Sequence, residues 1–474
     1  GIGFDLSDVS FGILMVSDTK GTPVTTDDVN YMALKVDVGS AALVGIDGLT
    51  AEVTSLSVIV NKTSDTINTN KVLDFVDTAE NATDNAATSL DIATGPTSPD
   101  VTLDIDGDEG VLLQVMTDIS LDVFGFVTLD GSMAFKKATG SFVLTDGSTH
   151  QSTALSDVNY MEVGGHVTTA FAGVGGIGFD LSDVSFGILM VSDTKGTPVT
   201  TDDVNYMALK ADVGSAALVG IDGLTAEVST LSVIVNKTSD TINTNKVLDF
   251  VDTAENATDN ATASLDIATG PTSPDVTLDI DGDEGVLLQV MTDISLNVFG
   301  FVTLDGSMAF KKATGSFVLT DGSTHQSTSL SDVSYLEAGG HVNTAFAGVG
   351  GIGFDLSDVS FGILMVSDTK GTAVTTDDVN YMALKADVGS AALVGIDGLT
   401  AEVSSLSVIV NKTGDTVNTN KVLDFADTDD ATNATDNAAT SLDITTGPTS
   451  PVVTLDIDGD EGVLLRVTTD ISLD

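Results

Sequence analysis

The chain contains no cysteine and no tryptophan, and only 17 of its 474 residues are basic against 70 that are acidic. Without cysteine a disulfide framework and a thiol centre are both excluded. Arg466 is the only arginine. The formal charge of -53 argues against DNA, RNA or an anionic membrane as a partner, since surfaces rich in phosphate recruit the opposite sign. No run approaches the roughly twenty apolar residues that a spanning helix needs, and no basic, apolar and small-residue succession marks a signal peptide. No membrane span is therefore expected in this segment.

What is present is apolar and repetitive. With 42% hydrophobic residues and a mean hydropathy of +0.26, the chain can bury a large surface and should fold. A stretch of about 175 residues recurs almost unchanged, opening with the same words at Gly1, Gly176 and Gly351. The blocks are 1–175, 176–350 and a partial 351–474. The chain starts inside a motif and stops partway through a copy, which reads as a piece of a longer protein. A shorter period of about 44 residues runs through Tyr31, Phe75, Val115, Tyr160 and Tyr206, with the quarter near Phe75 the poorest match. Arrays of this kind span distance, polymerise or present one surface many times.

Within a quarter the apolar residues alternate. Val38, Ser40, Ala42, Val44 and Ile46 are expected on one face, then Asp47-Gly48 turns the chain, and Leu49, Ala51, Val53, Leu56, Val58 and Val60 follow. Val123-Phe124-Gly125-Phe126-Val127 and Gly187 to Val191 are apolar at both parities, which suits strands covered on two sides. The expected fold class is all-β: an elongated repetitive array, β-solenoid-like or built of stacked β-sheets. The segment from Val76 to Asp100, with its paired prolines, reads as a loop or decorated corner or as a short helix; it lengthens by two residues in the third copy, where Leu442 answers Leu90.

The densest acidic cluster is Asp104, Asp106, Asp108 and Glu109, repeated as Asp279, Asp281, Asp283 and Glu284 and as Asp456, Asp458, Asp460 and Glu461. Crowded carboxylates repel, and Ca2+, which accepts six to eight oxygens in variable geometry, is the natural cation to relieve them. The spacing is not that of an EF-hand, and a solvated acidic turn is the competing reading. His150, His166, His325 and His341 stand apart from one another, and are expected at polar surface or upper-strand positions rather than at a metal or acid-base centre. Gly173 to Gly178 lacks the lysine and helix of a nucleotide loop. Asn61-Lys62-Thr63, Asn81-Ala82-Thr83, Asn256-Ala257-Thr258 and Asn260-Ala261-Thr262 match the N-glycosylation pattern.

Tyr206 to Ala211, Gly220 to Thr225 and Leu231 to Asn236 resemble repeats of giant, acidic tandem-repeat proteins of bacteria, exported or surface-bound. That resemblance implies a long extracellular or cell-surface chain and carries over no site residues. Identical blocks offer identical lateral surfaces at fixed pitch, so the expected role is structural and not enzymatic: a filament or sheath subunit, self-associating and held by divalent cations, or a surface stalk. An adhesin repeat region and, further off, a secreted enzyme are the alternatives.

Overall fold

A computed structural model describes residues 2–76, 89–251, 264–372, 376–426 and 441–473. The protein is almost all β, and its strands form one large antiparallel sheet that does not close on itself. In the first block the long strands are Gly3–Asp18, Val29–Val44, Leu49–Thr63, Leu112–Val123, Val127–Asp146 and Gln151–Val174. Ile177–Asp193, Val204–Val219, Leu224–Thr238, Leu287–Val298, Val302–Asp321 and Gln326–Val349 repeat them, and Ile352–Asp368, Val379–Val394, Ala401–Thr413 and Leu464–Leu473 begin a third round. Each pairs with the next in sequence, so the sheet is a meander running by hairpins and not the coils of a solenoid. The boundary between the first two blocks is the tight turn at Gly175-Gly176, across which Val174 pairs with Ile177. Of the four quarters in a block, three correspond to hairpins. The poor one is an excursion from the top of the sheet.

Short turns lie at the lower end of the sheet, and the upper end carries the two long connections of each block, 19–28 and 64–111 in the first, beside a short turn at 147–150. Val123-Phe124-Gly125-Phe126-Val127, expected as a covered strand, is instead one of the lower turns: Phe124 and Gly125 both have positive φ, and the Phe126 amide donates to the Val123 carbonyl at 2.9 Å. Both phenylalanines are about half exposed. The excursion leaves the top, lays a small hairpin (Leu265–Ile267 with Val276–Leu278 in the second block) on one face, hereafter the front, and returns. Gly187 admits this close approach, because a Cβ there would stand 3.1 Å from Ile267 and Val276. Gly187 to Val191 thus lies in a strand whose front is covered by its own chain: Leu189 and Val191 are buried with Tyr206, Leu248, Phe250, Ile267 and Leu278.

The alternation is broken at mid-height. Asp8, Ser55, Asp183, Thr230 and Asp358 have φ of 49–54° within strands, and Gly39, Gly214 and Gly389 stand opposite the three aspartates, where a Cβ would come within 2.9 Å of the Asp Cβ. A left-handed residue in a strand acts as a bulge and shifts which parity points where. Val38 therefore faces the back while Ser40 and Ala42 face the front, not the single face expected of them. The result is a clean segregation. One rung of hydrogen-bonded neighbours reads Glu52, Ser120, Asp130, Thr169, Ser182, Ser215, Ser229 and Asp293, on the front. The rung one residue away on the same strands reads Ala51, Leu121, Leu129, Ala170, Leu181, Ala216, Val228 and Ile294, on the back.

Candidate functional site

For an array the site of interest is the contact that joins one block to the next, and here it is built by the excursion. Lys246–Asp249 adds as a short antiparallel strand to Val143–Asp146 of the preceding block. Its pattern of Val, Leu and Phe puts Leu248 and Phe250 into the core beside Phe142, Leu144 and Val158, all from the earlier block. Asp249 is fully buried. Its carboxylate accepts from the Thr145 hydroxyl at 2.6 Å and from the Gly282 amide at 2.9 Å. Burial pushes its pKa up, against those two hydrogen bonds and with the neighbouring Asp281 and Asp283 adding to the rise. Asn245 donates to the Ser148 hydroxyl at 3.0 Å, and Ser132 donates to the Thr269 carbonyl at 2.9 Å while meeting Ser273 at 2.6 Å.

The second junction repeats the first. Lys421–Leu423 pairs with Leu319 to Asp321, Thr320 donates to the buried Asp424 at 2.6 Å, Asn420 donates to Ser323 at 2.9 Å, and Ser307 donates to the Thr446 carbonyl at 2.9 Å. In the first excursion the same residues, Lys71 to Asp74, form no such strand: Lys71 is exposed, Val72, Leu73 and Asp74 are partly covered, and the following Phe75 is buried. The sequence is shared; the partner makes the strand.

The acidic turns sit directly beneath this junction. Each carboxylate goes to its own partner: Asp104 to Lys35 at 2.9 Å, Glu109 to Lys136 at 2.6 Å, and Asp106 to the amide of Asp108 at 2.9 Å. In the second copy Asp279 meets Lys210 at 2.8 Å, Glu284 meets Lys311 at 2.8 Å, and Asp281 caps the 3-10 turn Gly282–Glu284. Asp283 meets His150 of the preceding block at 3.0 Å. The third copy sets Asp456 against Lys385, Asp458 as the cap of Gly459–Glu461, Asp460 against His325 at 2.9 Å, and Glu461 against Arg466. Among the described residues no three His, Cys, Asp or Glu side chains gather in metal-binding geometry.

His150 and His325 thus serve the junction, while His166 and His341 are on the front face with Nδ1 2.9 Å from Ser185 and Ser360. Asn61 is fully buried and donates to the Leu73 carbonyl at 2.6 Å, so it is a packing residue and not a glycan acceptor. Asn81, Asn256 and Asn260 lie outside the described residues, as does the part 77–88 of the Val76 to Asp100 loop.

Lysine divides between the faces. Front lysines 35, 136, 210, 311 and 385 each hold a carboxylate of an acidic turn. Lys62, Lys137, Lys237, Lys312 and Lys412 point from the back, are exposed, and have no ion-pair partner among the described residues. They fall on two rungs: Lys137 pairs across to Met161, then Met190, Met207 and Lys237, and Lys312 across to Leu336, Met365, Met382 and Lys412, the second rung meeting Leu288 and Val235, two residues below Lys237. This row went unnoticed in the sequence, though Lys136-Lys137 and Lys311-Lys312 hinted that one lysine of each pair must face the other way. No protein family matches the chain, and no curated protein or solved structure is significantly similar to it.

Proposed function

We propose that the chain is a structural repeat protein of the cell exterior, a sheath or surface wall that grows by adding blocks and carries no catalytic centre. The observation that supports this most is the junction, made twice with the same hydrogen bonds between residues 97 to 143 positions apart. A block so joined can be added without redesign, because the turn at Gly350-Gly351 repeats that at Gly175-Gly176. Divalent cations belong to the proposal. The front face and turns carry the acidic charge, and Asp104, Asp106, Asp108 and Glu109 and their copies are the carboxylates Ca2+ would take, since it accepts oxygen ligands in variable number and geometry.

Electron microscopy of the native material tests the wall directly: ordered assemblies whose repeat scales with the block support it, and isolated particles without a repeat overturn it. Deleting 176–350 as one unit should leave a folded chain one block shorter. Chelation at constant ionic strength should lower the Tm, and an unchanged Tm would confine cations to screening.

A further inference from the structure

We propose that the back face of the sheet contacts the acyl chains of a phospholipid bilayer, with the lysine row at the level of the lipid phosphates on one side and the exposed phenylalanines of the lower turns at the other. This deepens the reading of the chain as a surface wall by naming what the wall is set in.

The back face is unlike the remainder of this acidic protein. Across the described long strands, from the lower turns up to the lysine row, the registers bring no aspartate or glutamate to it. Leu181, Leu288, Met308 and Leu356 on it are 36–48% exposed, so the excursions that bury the upper front leave it uncovered. An apolar surface continuous over so many strands is far beyond the few hundred Å2 that a soluble monomer ordinarily shows. Its height suits a bilayer. From Met207 to Leu218, at about 3.3 Å per residue, the apolar span is about 36 Å along the strand, enough to cross a hydrocarbon core with some tilt. A hydrocarbon core is about 30 Å thick, and lipid-facing bands of β-walls are about 25 Å tall.

The two margins of the band decide between lipid and protein. A second copy stacked on this face would bring the same composition, with no carboxylate for the five lysines to meet, so their charges would be left in an apolar contact. Lipid phosphates answer them, and a lysine stem lying along the apolar surface can lift its ammonium to that level. Above the row the back turns polar, at Ser17, Asn30, Asn159, Ser192 and Asn205. At the lower margin Phe124, Phe126, Phe299 and Phe301 are 49–55% exposed, as aromatic residues at a membrane interface are. Short turns alone at the lower end, with the long connections confined to the upper one, complete the pattern of a spanning antiparallel wall. Spanning requires the open sheet edges to be paired, by closure or by edge-to-edge pairing with a second copy. A net charge of -53 does not oppose this, because the acidic side chains of the sheet are on its other face.

The absence of cysteine allows a direct test. Leu218→Cys (back) and Ala217→Cys (front) are labelled singly with an environment-sensitive fluorophore, and the full chain is reconstituted into phosphatidylcholine vesicles with and without brominated acyl chains. The bromolipid should quench the label at 218 severalfold more than the label at 217, with the far-UV spectrum unchanged in both. Equal quenching at the two sites, or none, overturns the proposal. So does a label at 218 that is already shielded in a lipid-free dimer and stays unquenched, which would assign the face to a second copy. Neither result touches the block repeat seen by microscopy, so failure here is distinct from failure of the wall reading.

Discussion

The two faces of one sheet, built from adjacent residues of the same strands, have opposite fates. On the front, charges are answered within the chain: lysine meets carboxylate, buried aspartate meets hydroxyl and amide, and the excursion covers the core. On the back nothing among the described residues covers the apolar rungs, and five lysines have no ion-pair partner among them. The contrast teaches that net charge and overall hydropathy describe neither face. A value of -53 together with a positive mean hydropathy is what results when an acidic surface and an apolar surface share one layer.

The largest effect expected from this contrast is in packing. Leu248→Ala removes a fully buried side chain from the junction core and should cost about 2–5 kcal/mol. Leu218→Ala on the back should cost less than about 1 kcal/mol in lipid-free solution, measured by denaturant unfolding of each. If the two cost the same, the back face is covered in solution and the contrast fails. Next comes Thr145→Val, which takes a hydrogen bond from the buried Asp249 carboxylate and should cost about 1–3 kcal/mol, while Thr225→Val at the lower end should be close to neutral.

Titration sharpens the comparison between junction and loop. A carboxyl whose pKa is raised by burial, as at Asp249 and Asp424, contributes stability that is complete below its unfolded pKa and is lost as pH rises through the higher folded value. Asp249→Asn should therefore melt at or above the parent temperature at pH 8, with the difference disappearing toward pH 4. Asp65 behaves oppositely. The Asn68 amide, the Asn68 side chain and the Ile67 amide all donate to it and hold its pKa at about 2, so its contribution is present above its unfolded value of 3.8 and is lost as pH falls toward 2. Melting curves of Asp65→Asn across that range should converge with the parent at the acid end. The smallest effect is in the surface charges: Lys35→Met breaks an ion pair and should cost up to about 1 kcal/mol, and Lys62→Met, with no pair to lose, should cost nothing measurable without lipid. A clear loss from Lys62→Met in lipid-free protein would give that lysine a partner within the chain.

Much of this fold was legible before the structure. Alternation in Leu49, Ala51 and Val53 marked a strand, and the three-residue step to Leu56 carried a trace of the bulge at Ser55. Asp47-Gly48 marked a turn, and the poor quarter near Phe75 marked the excursion. The junction was not legible, because Val72-Leu73-Asp74-Phe75 and Val247-Leu248-Asp249-Phe250 are the same words, and only the presence of Val143 to Asp146 alongside makes the second a strand. The phenylalanines at 124 and 126 were misread for a related reason: an apolar run is ambiguous between a doubly covered strand and an exposed turn until its neighbours are placed.

The sequence by itself determined the period, the β class and the succession of strands and turns, since these follow from local alternation and from glycine and aspartate at reversals. The tertiary structure decided which face each side chain joined. That choice depends on left-handed residues at mid-height, such as Asp183 opposite Gly214, whose conformation is set by the neighbouring strand and not by residue type alone. One shifted residue moves every later side chain of a strand to the other side. Four adjacent strands that shift together turn an acidic, moderately apolar sequence into a sheet with one charged face and one that, from the lower turns up to the lysines, has no acidic group.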